Sequence, residues 1–553
     1  MIFKTTSVVR GFLLLLSLKT GYTYCFDTEI VEQPYAQRMM MDDDTDWYGL
    51  SEFDDEPVTD GLLDVEIPNR AVDPATVMML LNSLNAVEIL QEEFFLRTNI
   101  LNTRSLLDMP LFDPNCCVPC GYSFDTMLFY NKTHRSYFTS TCDRIDSYLA
   151  LSSPTLLDKL QTSIGQPLQL DLPFIFSLFS GMTVQERRLG LMFHWMLQAP
   201  CGMLRIFAPF YYRERNFFFE KAEQKAIDAQ FEPTGTPEEQ EKFQNQHFVS
   251  DEIGIGDLRL EGMGVIRQDP SFRISLGGFI TVPIAFPFKR GLKGTYFPKT
   301  DAQPTFDFEA LFDLASDMTP AAQNEIFCAI SNFVLNAFDR LSANLLDTQL
   351  GNNHHVGLGL VCVYSSPASA WFDREWTRRI IFKGRASMET LLPGHERRLY
   401  LRKIDVQGFA SRNFTDYTES VAASNLLFLE QELINKFYLF GFGANILPGP
   451  IFRLTNKMCY EGDCASWFLG TDWWVQTREH LRRVNATPAL ANQLALKKAK
   501  LPNAVQYKVL AGFDYTLNRE TCDVVLGLSC DGTIWSLGIG KDYTFVAHCA
   551  VRF

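Results

Sequence analysis

The chain has 553 residues, 46% of them hydrophobic and 21% charged, with a formal net charge of −15. That length holds one large domain with accessory segments, or two or three smaller ones. Beyond a first apolar run no window reaches the roughly 18 residues of a membrane-spanning helix, and no basic patch with interleaved aromatics marks a nucleic-acid partner.

Lys4 and Arg10 precede the apolar run 12–18, the basic and hydrophobic parts of an export signal, so 1–25 reads as a signal peptide. The stretch before Cys25 has neither a clean small-x-small cleavage pattern nor a lipobox. Residues 26–66 hold fourteen acidic residues against one base, Arg38, which leaves the rest of the chain near neutral. Segment 26–74 is expected to be solvated, self-repelling and disordered.

From 73 to 109 the pattern turns helical, with Val77, Leu80, Leu81, Leu84, Val87 and Phe94 on one face. Pro110 and Pro114 end it, and Cys116, Cys117 and Cys120 follow. Region 75–184 therefore reads as helical and cysteine-containing, with room for a first strand at 122–130 and a loop with a short helix at 153–173.

Near Arg187 the period becomes two, and 185–553 reads as β structure. Leu189, Leu191, Phe193, Trp195 and Leu197 alternate with Gly190, Met192, His194, Met196 and Gln198. Such alternation is a strand with one face in an apolar medium. Leu204, Ile206, Ala208 and Phe210 continue it opposite Arg205, and the charged stretch 214–247 reads as an aqueous loop. Leu258 and Leu260 then alternate with Asp257, Arg259 and Glu261. After Gln268-Asp269-Pro270 the alternation is sustained over 271–286, with Leu276 and the other even-numbered residues on the apolar face and Arg273 and Ser275 opposite. A soluble strand is usually about five or six residues, whereas a tilted membrane strand needs about 9–11 in hydrocarbon alone.

Helical spacing returns over 305–350, an insertion divided near Pro320 that could cap a mouth, plug a lumen or bind a partner, and again over 419–437. Further strands are expected at 356–364, 379–391 and 466–479, the last with Trp473 and Trp474 as an interfacial aromatic belt. In the next, Val505, Tyr507, Val509, Ala511, Phe513 and Tyr515 oppose Lys508 and Asp514, and Val524, Leu526 and Leu528 mark another. The last strand sets Tyr543, Phe545, Cys549, Val551 and Phe553 against His548 and Arg552. The abundance of Phe, 46 residues, suits two aromatic girdles.

The fold class is thus all-β dominated: an antiparallel transmembrane β-barrel of about 12 strands, within 10–14, with a helical N-terminal segment and a helical insertion. The final strand, ending on Phe with apolar residues at alternate positions, resembles the C-terminal strand of Gram-negative outer-membrane β-barrels. That resemblance implies an outer-membrane location, the lipid bilayer as solvent, and a barrel assembly machinery that reads Tyr543, Phe545, Val551 and Phe553. The run Ile253-Gly254-Ile255-Gly256-Asp257-Leu258-Arg259-Leu260, with Leu276-Gly277-Gly278 and Val282-Pro283, is similar to barrels of aromatic-compound uptake, the phenol-degradation meta-pathway type. It implies a transport-type barrel and nothing finer.

Thirteen cysteines in an exported chain favour disulfides over metal sites, with Cys459 and Cys464 a candidate loop staple. His354 and His355 read as a solvated loop pair. No metal or cofactor motif occurs, nor any G-x-S-x-G, H-E-x-x-H or P-loop, so no catalytic residue is assigned. The expected role is passage or binding of small polar or amphipathic solutes in a lumen lined by Arg205, Asp257, Arg259, Glu261, Arg273, Lys508, Asp514, His548 and Arg552, with an acidic periplasmic N-terminus. A structural or adhesive barrel with a filled lumen, and a soluble exported β-rich binding protein, are the alternatives.

Overall fold

Alternation of apolar and polar residues sorts the side chains of twelve antiparallel strands onto two faces, and the strands close into a barrel. The computed structural model describes residues 73–83, 121–135, 183–294 and 339–553, apart from brief interruptions, with scattered positions elsewhere. The expected signal peptide, the acidic segment, Cys116, Cys117 and Cys120, and most of the helical insertion lie outside the described residues.

In chain order the elements are α1 (Pro74–Ser83), β1 (Gly121–Arg135), β2 (Thr183–Ala199), β3 (Gly202–Phe218), α2 (Lys221–Phe231), α3 (Pro237–Phe248), β4 (Val249–Ile255), β5 (Leu258–Asp269), β6 (Phe272–Val282) and β7 (Phe286–Arg290). There follow β8 (Gly357–Pro367), β9 (Ile380–Leu391), β10 (Gly394–Tyr400), α4 (Val406–Ser411), α5 (Glu419–Phe437), β11 (Phe440–Leu447), β12 (Ile451–Glu461) and β13 (Ala465–Gln476). The last are β14 (His480–Val484), α6 (Pro488–Gln493), β15 (Ala504–Asn518), β16 (Asp523–Leu537) and β17 (Lys541–Arg552).

Closure is made by β1, which pairs antiparallel with β17 on one side and β2 on the other. The ladder runs to the end of the chain, where the Phe553 amide donates to the Tyr122 carbonyl at 3.0 Å and the two rings stack 5.1 Å apart. Around the wall the order is β1, β2, β3, β5, β6, β8, β9, β12, β13, β15, β16 and β17.

Outward residues are apolar and exposed: Leu128, Leu189, Leu276, Leu360, Leu469, Leu528 and Phe545. Inward neighbours such as Asp125, His194, Arg205, Ser275 and Lys508 are buried. A soluble surface would not carry such a belt, and hydrocarbon demands it. Aromatic pairs edge the belt. Trp467 packs on Tyr460 near one end and Trp473 on Tyr507 near the other. Tyr507 and Tyr515 are eight residues apart on β15, about 26 Å along the strand, close to the about 25 Å apolar band of such barrels. Trp474, expected in the same belt, instead points inward and is buried against Leu391, Ile451, Ala504 and Ile539. Adjacent residues of a strand cannot share a face.

The two ends differ. At the end holding Gly121 and Phe553, hairpins such as β2–β3 and β15–β16 are short; at the other, the connections carry α2, α3, β10, α4, α5, β11, β14 and α6. This is the architecture of an outer-membrane β-barrel, with short periplasmic turns and long external loops.

The sustained alternation over 271–286 becomes two strands rather than one. β6 pairs with β5, whereas β7 pairs with β4, and between them Gly256-Asp257 faces the three residues 283–285 across a bulge. Pro283 lacks the amide that would carry the ladder on. Stretch 214–247, expected as a loop, holds the end of β3 and the helices α2 and α3. A capping box starts α3, with Thr236 and Glu239 satisfying each other's amides.

Above the loop end, β10, β11 and β14 form a separate three-stranded sheet, unseen in the sequence because its strands are short. α1 starts at Asp73, whose carboxylate accepts from the Ala75 amide at 3.1 Å, with Pro74 at the first helical position. Its buried face is Val77, Met78 and Leu81, packed against Phe409, Ala422, Leu426, Leu429 and Leu433 of the cap; Leu80, expected on that face, is exposed.

The belt yields a direct test. Leu276→Arg should cost about 2–4 kcal/mol if it lies at midplane, and Leu276→Met less than about 1.5 kcal/mol, by denaturant unfolding from lipid vesicles. Equal costs for the two would remove this segment from the lipid.

Candidate functional site: the barrel lumen

Two carboxylates organise the lumen, each ringed by three arginines. Toward the turn end Glu261 on β5 is ion-paired with Arg205 on β3. Arg385 on β9 grips it with two nitrogens at 2.7 and 3.1 Å, and Arg259 lies 3.9 Å away. The fork geometry is the strong form of this pair. Arg259 also lies over the Phe279 ring, 3.6 Å from its centroid, and Arg205 over Phe207 at 5.0 Å, a placement that the ring quadrupole favours. Next to this cluster Asp125 bonds His194 at 2.9 Å, and the imidazole stacks on Phe207.

Toward the loop end Glu186 on β2 is held by Arg188, by Arg213 at 3.1 Å and by Arg215 at 2.7 Å. These arginines also reach a chain segment that enters the lumen. Arg215 donates to the Asp347 carbonyl at 2.9 Å and Arg213 to the Gln349 carbonyl. The same segment is fixed by the Gly351 amide on Tyr211 Oη at 3.2 Å and by the Asn352 amide on Asp257. Between the two clusters Leu350 sits among Met127, Phe129, Met192, Tyr211 and Val546, an apolar collar.

The opposite wall pairs its charges locally. Lys508 bonds Asp542 at 2.9 Å and Asp531 at 3.1 Å, and Asn131, Gln506 and Thr533 complete Asp542. Arg453 forks onto Asp472 at 2.8 and 3.0 Å. His548 and Asp514 are 3.5 Å apart.

Arg205, Arg259 and Glu261 thus form one cluster. Lys508 belongs to that opposite wall, as do Asp514 and His548. Asp257 is buried in the wall bulge, where its carboxylate also accepts from the Ala285 amide at 3.3 Å; it holds the inserted segment. Arg273 and Arg552 lie half-buried near the turn end, where Arg552 aligns with Ser123 and Asp523. Tyr543, Phe545, Val551 and Phe553 share the outer face of the terminal region, with Phe545 and Phe553 exposed.

Cys459 and Cys464 do not form the expected staple. They are not bonded to each other: Cys459 is buried opposite Phe468 on β13, while Cys464 is exposed in the turn. His355 is not a solvated loop residue either. It is buried, with Nε2 at 2.5 Å from Glu396 and Nδ1 at 2.7 Å from the Leu392 carbonyl. Glu396 continues to Arg398, which forks onto Glu479 at 3.0 Å. Burial would lower the Arg398 pKa, but the two carboxylates outweigh it and raise it above the usual arginine range.

Sequence reasoning missed Glu186, Arg188, Arg213, Arg215 and Arg385. Arg213-Glu214-Arg215 looks like solvated loop because three charges stand in a row. The usable signal was period two, which sets both arginines on the face of Phe207 and Tyr211.

No family model matches the sequence, and no curated protein matches it. Among solved structures, an outer membrane channel from Pseudomonas putida F1 is 8% identical, with 80% of this chain and all of that one covered at a TM-score of 0.38. The Pseudomonas putida toluene transporter TodX is 8% identical, with coverage of 83% and 98% and a TM-score of 0.27. The outer membrane protease OmpT from Escherichia coli is 6% identical, with coverage of 79% and 97% and a TM-score of 0.21. Similarity this low carries no argument about activity.

Gly351 holds the inserted segment through a close approach that a side chain would break. Its φ is +74°, and a Cβ there would overlap the Asp257 carboxylate. Gly351→Val should free 347–352 from Asp257 and Tyr211 and make it cleavable by added protease in the folded barrel. Wild-type protection of this variant would show that the anchor is not needed.

Proposed function

We propose that the protein is a channel in the outer membrane of a Gram-negative-type cell, and that it takes up small amphipathic solutes bearing an anionic group. The pair of three-to-one clusters supports this most. Each carboxylate neutralises one of its three guanidiniums, so the Glu186 and Glu261 clusters each keep an excess of positive charge in a shielded lumen. Near the turn end, Arg205 Nε and Nη1, Asp125 Oδ1 and His194 Nε2 are buried without a hydrogen-bond partner among the described residues. An unsatisfied buried polar group costs about 1–3 kcal/mol, a cost that water or a solute head group relieves. The apolar collar between the clusters suits an alkyl or aryl body.

Leu350 fills that collar, and hydrophobic constrictions gate by excluding water. Opening then amounts to withdrawing 347–352 from its arginine and aspartate anchors. Passage of this kind needs no catalytic residue; its partners are the bilayer, the solute and the assembly machinery that inserts the barrel.

In liposomes holding the purified protein, a small aryl or alkyl carboxylate should enter faster than the uncharged alcohol of the same skeleton. Leu350→Ala should raise the carboxylate rate severalfold. Should neither protein pass either solute, the lumen is filled and the barrel is a structural or adhesive surface protein.

A further inference from the structure

Just below the apolar collar, toward the turn end, the inward residues change from thioether to ionisable side chains. Met127 pairs with Met192 in the collar, and two positions on Asp125 pairs with His194. The contact of 2.9 Å between Asp125 Oδ2 and His194 Nδ1 fixes the imidazole. A carboxylate has no proton to give, so Nδ1 carries the hydrogen, and on the uncharged ring Nε2 is then an acceptor. The ring also lies flat against Phe207, with centroids 4.7 Å and planes 10° apart. It cannot turn away without losing both contacts.

Arg205 supplies the opposite chemistry beside it. It pairs with Met196, two residues along β2 from His194 on the same face, and its guanidinium lies 5.0 Å from the centroid of the same Phe207 ring. Cross-strand neighbours offset by two lie about 7–8 Å apart. Arg205 Nη2 is paired with Glu261, yet Arg385 already engages both Glu261 oxygens, at 2.7 and 3.1 Å. Nε and Nη1 find no acceptor among the described residues, and there Asp125 Oδ1 and His194 Nε2 find no donor. Arg205 is 0% exposed and His194 3%, so bulk water does not meet these needs. Two donors and two acceptors thus stand unmet around one aromatic ring. A lone carboxylate satisfies only the donors, because it has no hydrogen for Asp125 or His194. A solute that completes the group brings an anion for Arg205 and a hydrogen for His194. An O–H brings that hydrogen without adding a cation beside Arg205, Arg259 and Arg385, which an ammonium would do.

We propose that Asp125, His194 and Arg205 form a recognition site for hydroxy acids: the carboxylate binds Arg205 through Nε or Nη1, and the hydroxyl donates to His194 Nε2 or Asp125 Oδ1. This rests on the uptake reading above and narrows its solutes to those that carry a hydroxyl as well as the anionic group. Asp125 and His194 are the next inward residues of β1 and β2 below the collar, so a solute that has passed Leu350 meets them at once. A site built to hydrogen-bond a hydroxyl rejects the analogue that lacks it, because its buried polar atoms then stay unpaired.

The test measures equilibrium binding of lactate against propionate, and of β-hydroxybutyrate against butyrate, to the purified full-length protein in detergent, where solute reaches the barrel from both sides. In at least one pair the hydroxy acid should bind several times more tightly than its deoxy partner. His194→Phe keeps an aromatic ring beside Phe207 and removes Nε2, and should bring that ratio close to one. Arg205→Gln should weaken both acids of the pair. Heat-modifiable migration verifies the barrel in each variant. Equal affinities within both pairs, or a preference that survives His194→Phe, would overturn the proposal and leave these atoms to water. Alanine binding more tightly than lactate would overturn it too, by assigning the acceptors to an ammonium group. Entry of butyrate and butanol into liposomes separates this site from the uptake reading on which it rests. Butyrate entering faster without any hydroxyl preference in binding keeps the channel and sinks the hydroxy-acid site; a hydroxyl preference without entry keeps the site in a barrel that does not conduct.

Discussion

In hydrocarbon a strand edge has no water to satisfy its amides and carbonyls, so a sheet in the membrane must close. The ladder between β1 and β17 meets that requirement here, from Ser123 opposite Arg552 to Arg135 opposite Lys541. Closure fixes which side chains face lipid and which face one another across a shared interior. It also confines the charged inward residues to an interior where they meet one another. The arginine-rich clusters, the Lys508 wall and the Asp125–His194 pair follow from that confinement.

Buried ion pairs are costly unless each charge is met by several partners. The two ends of the lumen solve this differently. At the loop end Glu186 has three arginines, and Arg213 and Arg215 also spend donors on main-chain carbonyls of the inserted segment. At the turn end the arginines share Glu261, and Arg205 keeps nitrogens without an acceptor among the described residues. One end is engaged in holding a segment; the other is the end at which solute recognition is proposed. The apolar collar around Leu350 separates them.

The cap is bound to the same construction. His355, Glu396, Arg398 and Glu479 link the inserted segment to β10 and to the β13–β15 connection through buried polar contacts. Only a few residues separate Asn352, bound to Asp257 in the wall, from His355, bound to Glu396 in the cap. Movement of the segment and movement of the cap are therefore mechanically joined.

The sequence by itself determined the faces. Period two placed Leu276 outward and Ser275 inward, set Arg205, Arg259 and Glu261 on one side of their strands, and gave the terminal strand its apolar row, because successive side chains of a strand point oppositely whatever the strand's neighbours are. It also delimited α5 at Glu419–Phe437, where the 3.6 period is unbroken. Only the tertiary structure decided which inward residues meet. Arg385 is more than a hundred positions from Glu261, and Glu186 meets Arg213 and Arg215 because β2 and β3 pair in one register. Short strands such as β14, the split of β6 from β7, and the seat of α1 on the far end were likewise decided by packing. Each depends on contacts between segments distant in the chain, which no local period encodes.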